Sequence, residues 1–179
     1  MDRDDVVDIT DFDVVAWIKA EMRVMLDEEI ARACLIGDGR ANSSEDKISE
    51  SHIRPIAKDA DLFSVKVPVT VGNETDETAK NFIRAAIKAR KDYKGSGNPV
   101  LYITDDMLAD ILLIEDGIGH LLYSSEQQLM TALSVRRIVT VPVMDGATVP
   151  ITVDTTTSEK DLLGIIVNPQ DYVIGADKG

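Results

Sequence analysis

A chain of 179 residues with 44% hydrophobic content suffices for one ordinary domain, or two small ones, around a real core. Its 32 acids against 19 bases leave a net charge of −13, which argues against a basic face for nucleic-acid phosphates and against docking on anionic membranes. No apolar run approaches a membrane span, and the acidic opening MDRDDVVDIT lacks the apolar segment of a signal peptide. The one cysteine, Cys34, excludes a disulfide framework and a cysteine-based zinc site, and points to a reducing compartment.

The first predicted element is a long helix. Thr10, Asp11 and Asp13 are candidate N-caps ahead of Val14, Val15, Ile18, Met22, Met25, Leu26 and Ile30, a stripe at helical spacing. The helix is expected from about Phe12 to Ile36, roughly 37 Å at 1.5 Å per residue, which is long for a domain of this size. Asp27, Glu28 and Glu29 lie close to Lys19, Arg23 and Arg32, so the wet face mixes signs. Gly37-Asp38-Gly39-Arg40 then reads as a glycine stop.

A polar connection from Asp38 to Asp61 leads to LFSVKVPVTV, whose alternation predicts a half-buried strand. Ile18, Met22, Leu26 and Ile30 are expected to pack the long helix against it. The turn-like composition near Gly72 to Asp76 marks a boundary, giving regions 1–71 and 72–179. A second helix is predicted from about Thr75 to Lys94 on a stripe of Phe82, Ile83, Ala86 and Ile87, ending in KGSGNP.

Val100 to Thr104 reads as a short buried strand. Thr104 then caps a helix through Met107, Leu108, Ile111 and Leu112. Ser124 with Gln127 resembles a capping box for a helix through Leu133. RRIVTVPVM and ATVPITVD flank Asp145-Gly146, a hairpin signal, and LLGIIVNP adds an apolar strand. Helices and strands in mixed order predict an α+β fold.

The chemical candidates give no catalytic, cofactor or metal assignment. GDGR lacks the alternating oxygen ligands of a calcium loop and follows a helix instead of opening one, as a phosphate loop does. YKGSGNP has the same reversed order. His52 and His120 stand in a polar connection and a turn, with no ligand partner at helical spacing. Cys34 has no nearby histidine in the chain and suits a small buried residue. Asp105-Asp106 fits the first turn of a helix, and Glu115-Asp116 shows no separation suited to a paired acid and base. The chain therefore reads as a non-enzyme.

DFDVVAWIKAEMRVMLDEEIARACLIGDGR resembles the long spine helix, and the glycine-acid-glycine turn after it, of tailed-phage major capsid proteins with the Hong Kong-type fold. HIRPIAKDADLFSVKV is similar to the segment that leaves this turn in an actinobacterial-phage branch. GNPVLYITDDMLADILLIEDGIGHLLY, SVRRIVTVPVM and LLGIIVNPQDYVIGADKG are similar to successive parts of the family's axial domain. The resemblance covers most of Ile9 to Gly179, through the order and spacing of segments and not through one diagnostic motif.

It implies a spine helix over about 12–36 within a peripheral region 1–71, and a mixed axial domain over 72–179. It also implies a structural subunit of a phage or prophage shell, assembled in the bacterial host cytoplasm into hexamers and pentamers that enclose DNA. The implied partners are copies of the chain, with a scaffolding protein or maturation protease. No cofactor, specific nucleic-acid contact or membrane is implied. The family's N-terminal arm and extended loop, and its returning C-terminal strands, have no counterpart, so the chain reads as a central fragment free to remain monomeric. A bacterial encapsulin-like compartment subunit, or another self-assembling protein, is the alternative.

Overall fold

The computed structural model describes residues 3–41, 43–48, 53–73, 75–153 and 156–173. The class is α+β. The first helix, α1, runs from Arg3 to Leu35, 33 residues and about 50 Å long. It begins earlier than the apolar stripe suggests, so Thr10, Asp11 and Asp13 lie inside it and not at its start. Its end is the predicted stop. The Arg32 carbonyl accepts both the Ile36 and Gly37 N–H groups at 2.9 Å, and Gly37 takes a positive φ of 86° that a side chain would disfavour.

The body is built around a three-stranded sheet. Strand β1, Val100–Ile103, lies in the centre between β2, Arg137–Thr140, and β5, Gly164–Val167. It runs parallel to β2, with Leu101 opposite Ile138, and antiparallel to β5, with Leu101 opposite Ile166. Those three side chains share one face of the sheet, since side chains alternate along a strand. The parallel pairing needs a crossover, which α3, Asp105–Leu112, and α4, Glu126–Leu133, supply. Helix α2, Thr75–Ala89, joins them on that face.

The first core gathers Leu101, Ile103 and Ile138 from the sheet with Phe82, Ile83, Ile111 and Leu129 from the three helices. Each such side chain stabilises the fold by about 1.5–3 kcal/mol relative to exposure. Gly164 is part of this packing, because a Cβ there would stand 3.0 Å from the Phe82 ring. On the opposite face, Tyr102 and Ile165 meet Leu35 and Ile36 at the root of α1, together with Ala57, Met144 and Val149.

Several local expectations need correction. LFSVKVPVTV forms no strand. Leu62, Phe63, Val65 and Val71 are exposed, and only Val69 packs on the first core. Without a paired neighbour, alternation alone cannot satisfy a strand's backbone groups. Ile18, Met22, Leu26 and Ile30 likewise pack against nothing there and are exposed. The Asp145-Gly146 turn closes no hairpin, because Pro142 cannot donate to a ladder and begins a 3₁₀ turn, Pro142–Met144, that ends the sheet path of β2.

The ribbon that does form pairs β3, Thr148–Val153, with the polar β4, Thr156–Asp161, in the register Thr148 opposite Asp161. Helix α2 gives way at Ala89 to the 3₁₀ turn Arg90–Asp92, and Ile87 points outward, one position off the core stripe. The second capping motif is shifted by one residue: Ser125 is the N-cap of α4, and the Ser124 N–H donates to Gln128 Oε1 at 3.1 Å.

Candidate functional site

The chemical candidates among the described residues are accounted for by local structure. The Asp38 side chain is fully buried beside α1's end, where Oδ1 accepts from Lys47 Nζ at 2.5 Å and from the Arg40 N–H at 3.2 Å, and Oδ2 from the Ile48 N–H at 2.7 Å. Burial alone would push this carboxyl up. The Lys47 hydrogen bond, the two N–H donors and the ammonium charge outweigh it and hold the group at about 2. Asp38 thus folds the loop after the stop back onto it. The sequence signal available was an acid between two glycines, which says nothing about the distant lysine.

The expectation that His120 lacks a partner at helical spacing needs correction: Asp116 lies four residues before it, with Oδ2 3.7 Å from Nδ1 of the exposed imidazole. The Asp116 carboxylate accepts the His120 and Ile118 N–H groups, which hold it below the usual carboxylate range and close the turn. Glu115 is in a bridge with Leu121, and Asp105 and Asp106 occupy the first turn of α3 behind the Thr104 cap. The Thr104 hydroxyl accepts the Met107 N–H at 3.3 Å, as expected. Cys34 is half-buried, and burial pushes its thiol up, away from thiolate chemistry. His52 lies outside the described residues.

The glycine loop KGSGNP is held by partners far along the chain. Asp171 accepts the Ser96 N–H at 2.7 Å and its hydroxyl at 2.5 Å, while the buried Asn168 donates to the Ser96 carbonyl at 2.8 Å. That role was invisible in sequence, since nothing local links Ser96 to Asp171. Among the described residues no group of three His, Cys, Asp or Glu side chains is placed to hold a metal.

Two surfaces remain. The first is the outer part of α1. From Val14 to Glu28 every residue is exposed, and Trp17 (65%), Met22 (64%) and Leu26 (60%) present large apolar side chains to solvent. Burial begins only at the root, with Ala33, Leu35 and Ile36. On the mixed-sign face of this helix, Glu29 faces Arg40 at 3.9 Å. Despite its length, α1 is not apolar enough to cross a membrane, nor is any other described helix.

The second surface is a shallow open groove of about 500 Å³ between residues 67–70 and α2. Val67, Pro68, Val69 and Ala85 line it, with Arg84, Lys88 and Lys91 along it. It is too open to exclude water from a reacting group, and among the described residues no histidine, cysteine or serine lines it. What this molecule offers is surface: a projecting apolar helix and a basic-rimmed trough. No protein family, curated protein or solved structure matches the chain.

Proposed function

We propose that the chain is a structural subunit of a phage or prophage shell with the Hong Kong-type capsid fold, acting through contacts between copies and not through catalysis. The observation that carries the reading is α1: a helix of 33 residues whose described side chains stay exposed from Val14 to Glu28, large apolar ones among them, and become buried near its C-terminal end. Exposed apolar patches of this extent mark surfaces that are covered in the working state. The order of segments that resembles the capsid family supports the same reading, as does the α+β body that follows the helix. On this reading α1 lies along the shell and the 72–179 region gathers around a five- or six-fold axis. A scaffolding protein or maturation protease would be the auxiliary partner.

The test is negative-stain electron microscopy of the purified chain, alongside co-expression with the gene products encoded beside it. Rings of five or six, or closed shells, are the expected outcome. Featureless single particles under both conditions, with α1 protected from proteolysis as a lone helix, would overturn the proposal. Closed shells that carry protein cargo and no DNA would move it to the encapsulin-like alternative.

A further inference from the structure

We propose that the groove beside α2 receives the outer stretch of α1 from a second copy of the chain. The contact rests on the shell reading and specifies how its copies would meet. On α1, Val14, Ile18, Glu21, Met25 and Glu28 follow one another at helical steps and form one exposed stripe. Its two carboxylates are two turns apart, about 10 Å, with Met25 between them. Among the described residues neither Glu21 nor Glu28 makes an ion pair.

The groove repeats that spacing with the opposite sign. Arg84 and Lys88 on α2, with Lys91 in the turn after it, run along a floor of Val67, Val69 and Ala85. None of these three cations is in an ion pair among the described residues. Asp92, in the turn after α2, is the one carboxylate lining it among the described residues. An apolar stripe with spaced acids thus matches an apolar floor with spaced cations.

The helix and the groove belong to different copies. The root of α1 is buried with Tyr102 and Ile165 on one face of the sheet, whereas α2 covers the other face. Two chains each carrying −13 repel one another at long range, so the local sign reversal selects which surfaces meet. A nucleic acid fits this groove less well. No aromatic side chain lines it for a base to stack on, and the chain's overall charge opposes a polyanion. The contact is heterologous, helix to groove, and closes into a ring when its rotation permits.

Sedimentation velocity on the full chain tests the contact with two double variants, Glu21→Lys/Glu28→Lys and Arg84→Glu/Lys91→Glu. Each is expected to weaken self-association by about tenfold or more, while the circular-dichroism melt stays that of the parent. Mixing the two, or combining all four changes in one chain, is expected to restore association. Variants that associate like the parent, a combination that restores nothing, or a parent that stays monomeric would each overturn it. So would a fluorescent oligothymidylate that binds the parent and is lost from Arg84→Glu/Lys91→Glu while self-association is unchanged. Shells that form equally from Glu21→Lys/Glu28→Lys would sink this contact and leave the shell reading standing. A restored contact that yields only open chains on the grid would uphold it and sink the shell reading.

Discussion

Helices α1 and α3 both carry large apolar side chains at helical spacing and treat them in opposite ways. In α3, Met107 and Ile111 are 8% and 0% exposed, packed against the strand that precedes them. In α1, Ile18, Met22 and Leu26 are 43%, 64% and 60% exposed. The difference is one of tether. Thr104 is the single residue between β1 and α3, so the helix cannot leave the sheet. Among the described side chains of α1, burial comes in its last turn, and from Val14 to Glu28 they stay exposed. A helical stripe states that a face needs covering; connectivity decides whether the same molecule can cover it.

That contrast can be broken at its strong end first. Ile111→Ala opens a cavity in the first core and is expected to cost about 2–5 kcal/mol in denaturant unfolding, because a fully buried side chain has no solvent to relax into. A loss below about 1 kcal/mol would mean that this core is loose. Next is the junction between the two regions. Asp38→Ala removes the carboxylate that Lys47 Nζ meets at 2.5 Å and leaves the Ile48 N–H without the acceptor it has at 2.7 Å, at a cost on the order of 2–4 kcal/mol.

The same carboxylate gives the junction a pH signature. Its folded value is about 2 against an ordinary 3.8, so its contribution is fully present above the ordinary value and is lost as pH falls through about 2. Acid titration of the parent should therefore lose stability in that window, and Asp38→Asn should flatten the loss. An identical acid profile for the two proteins would place the carboxylate in water.

Thr104→Ala removes one cap and should cost about 1 kcal/mol by thermal melting. The smallest effect belongs to α1. Leu26→Asp should change the stability of the body by less than about 0.5 kcal/mol, since the side chain is exposed. A large drop in melting temperature would show that the helix is covered after all and would erase the contrast.

Local chemistry was legible in the sequence; pairing partners were not. Gly37 as a stop, Thr104 as a cap, and the apolar strands at 100–103 and 164–167 could be read because each depends on a few adjacent residues. LFSVKVPVTV has strand-like alternation and no partner, while TTSEKD has no apolar alternation and forms β4, because β3 supplies its ladder. Asp145-Gly146 looked like a hairpin until Pro142 ended the preceding strand. For the candidate site, the charges of Arg84, Lys88 and Lys91 were visible as residues. The groove they border depends on where residues 67–70 lie, and nothing in the chain announces that.

The late position of β5 has a consequence for the order of events during synthesis. Ile165 belongs to the cluster that holds Leu35 and Ile36, so the anchorage of α1 is incomplete until β5 has left the ribosome and paired with β1. Although α1 is translated before every described strand, its root is therefore fixed only after β5 arrives. Chains still being made would display a long, unanchored helix with large apolar side chains in the open, the kind of surface that neighbouring nascent chains or chaperones meet first. Ribosome-bound chains arrested before Gly164 should accordingly show cleavage at the root of α1 under brief proteolysis, and chains arrested beyond Asp171 should resist it.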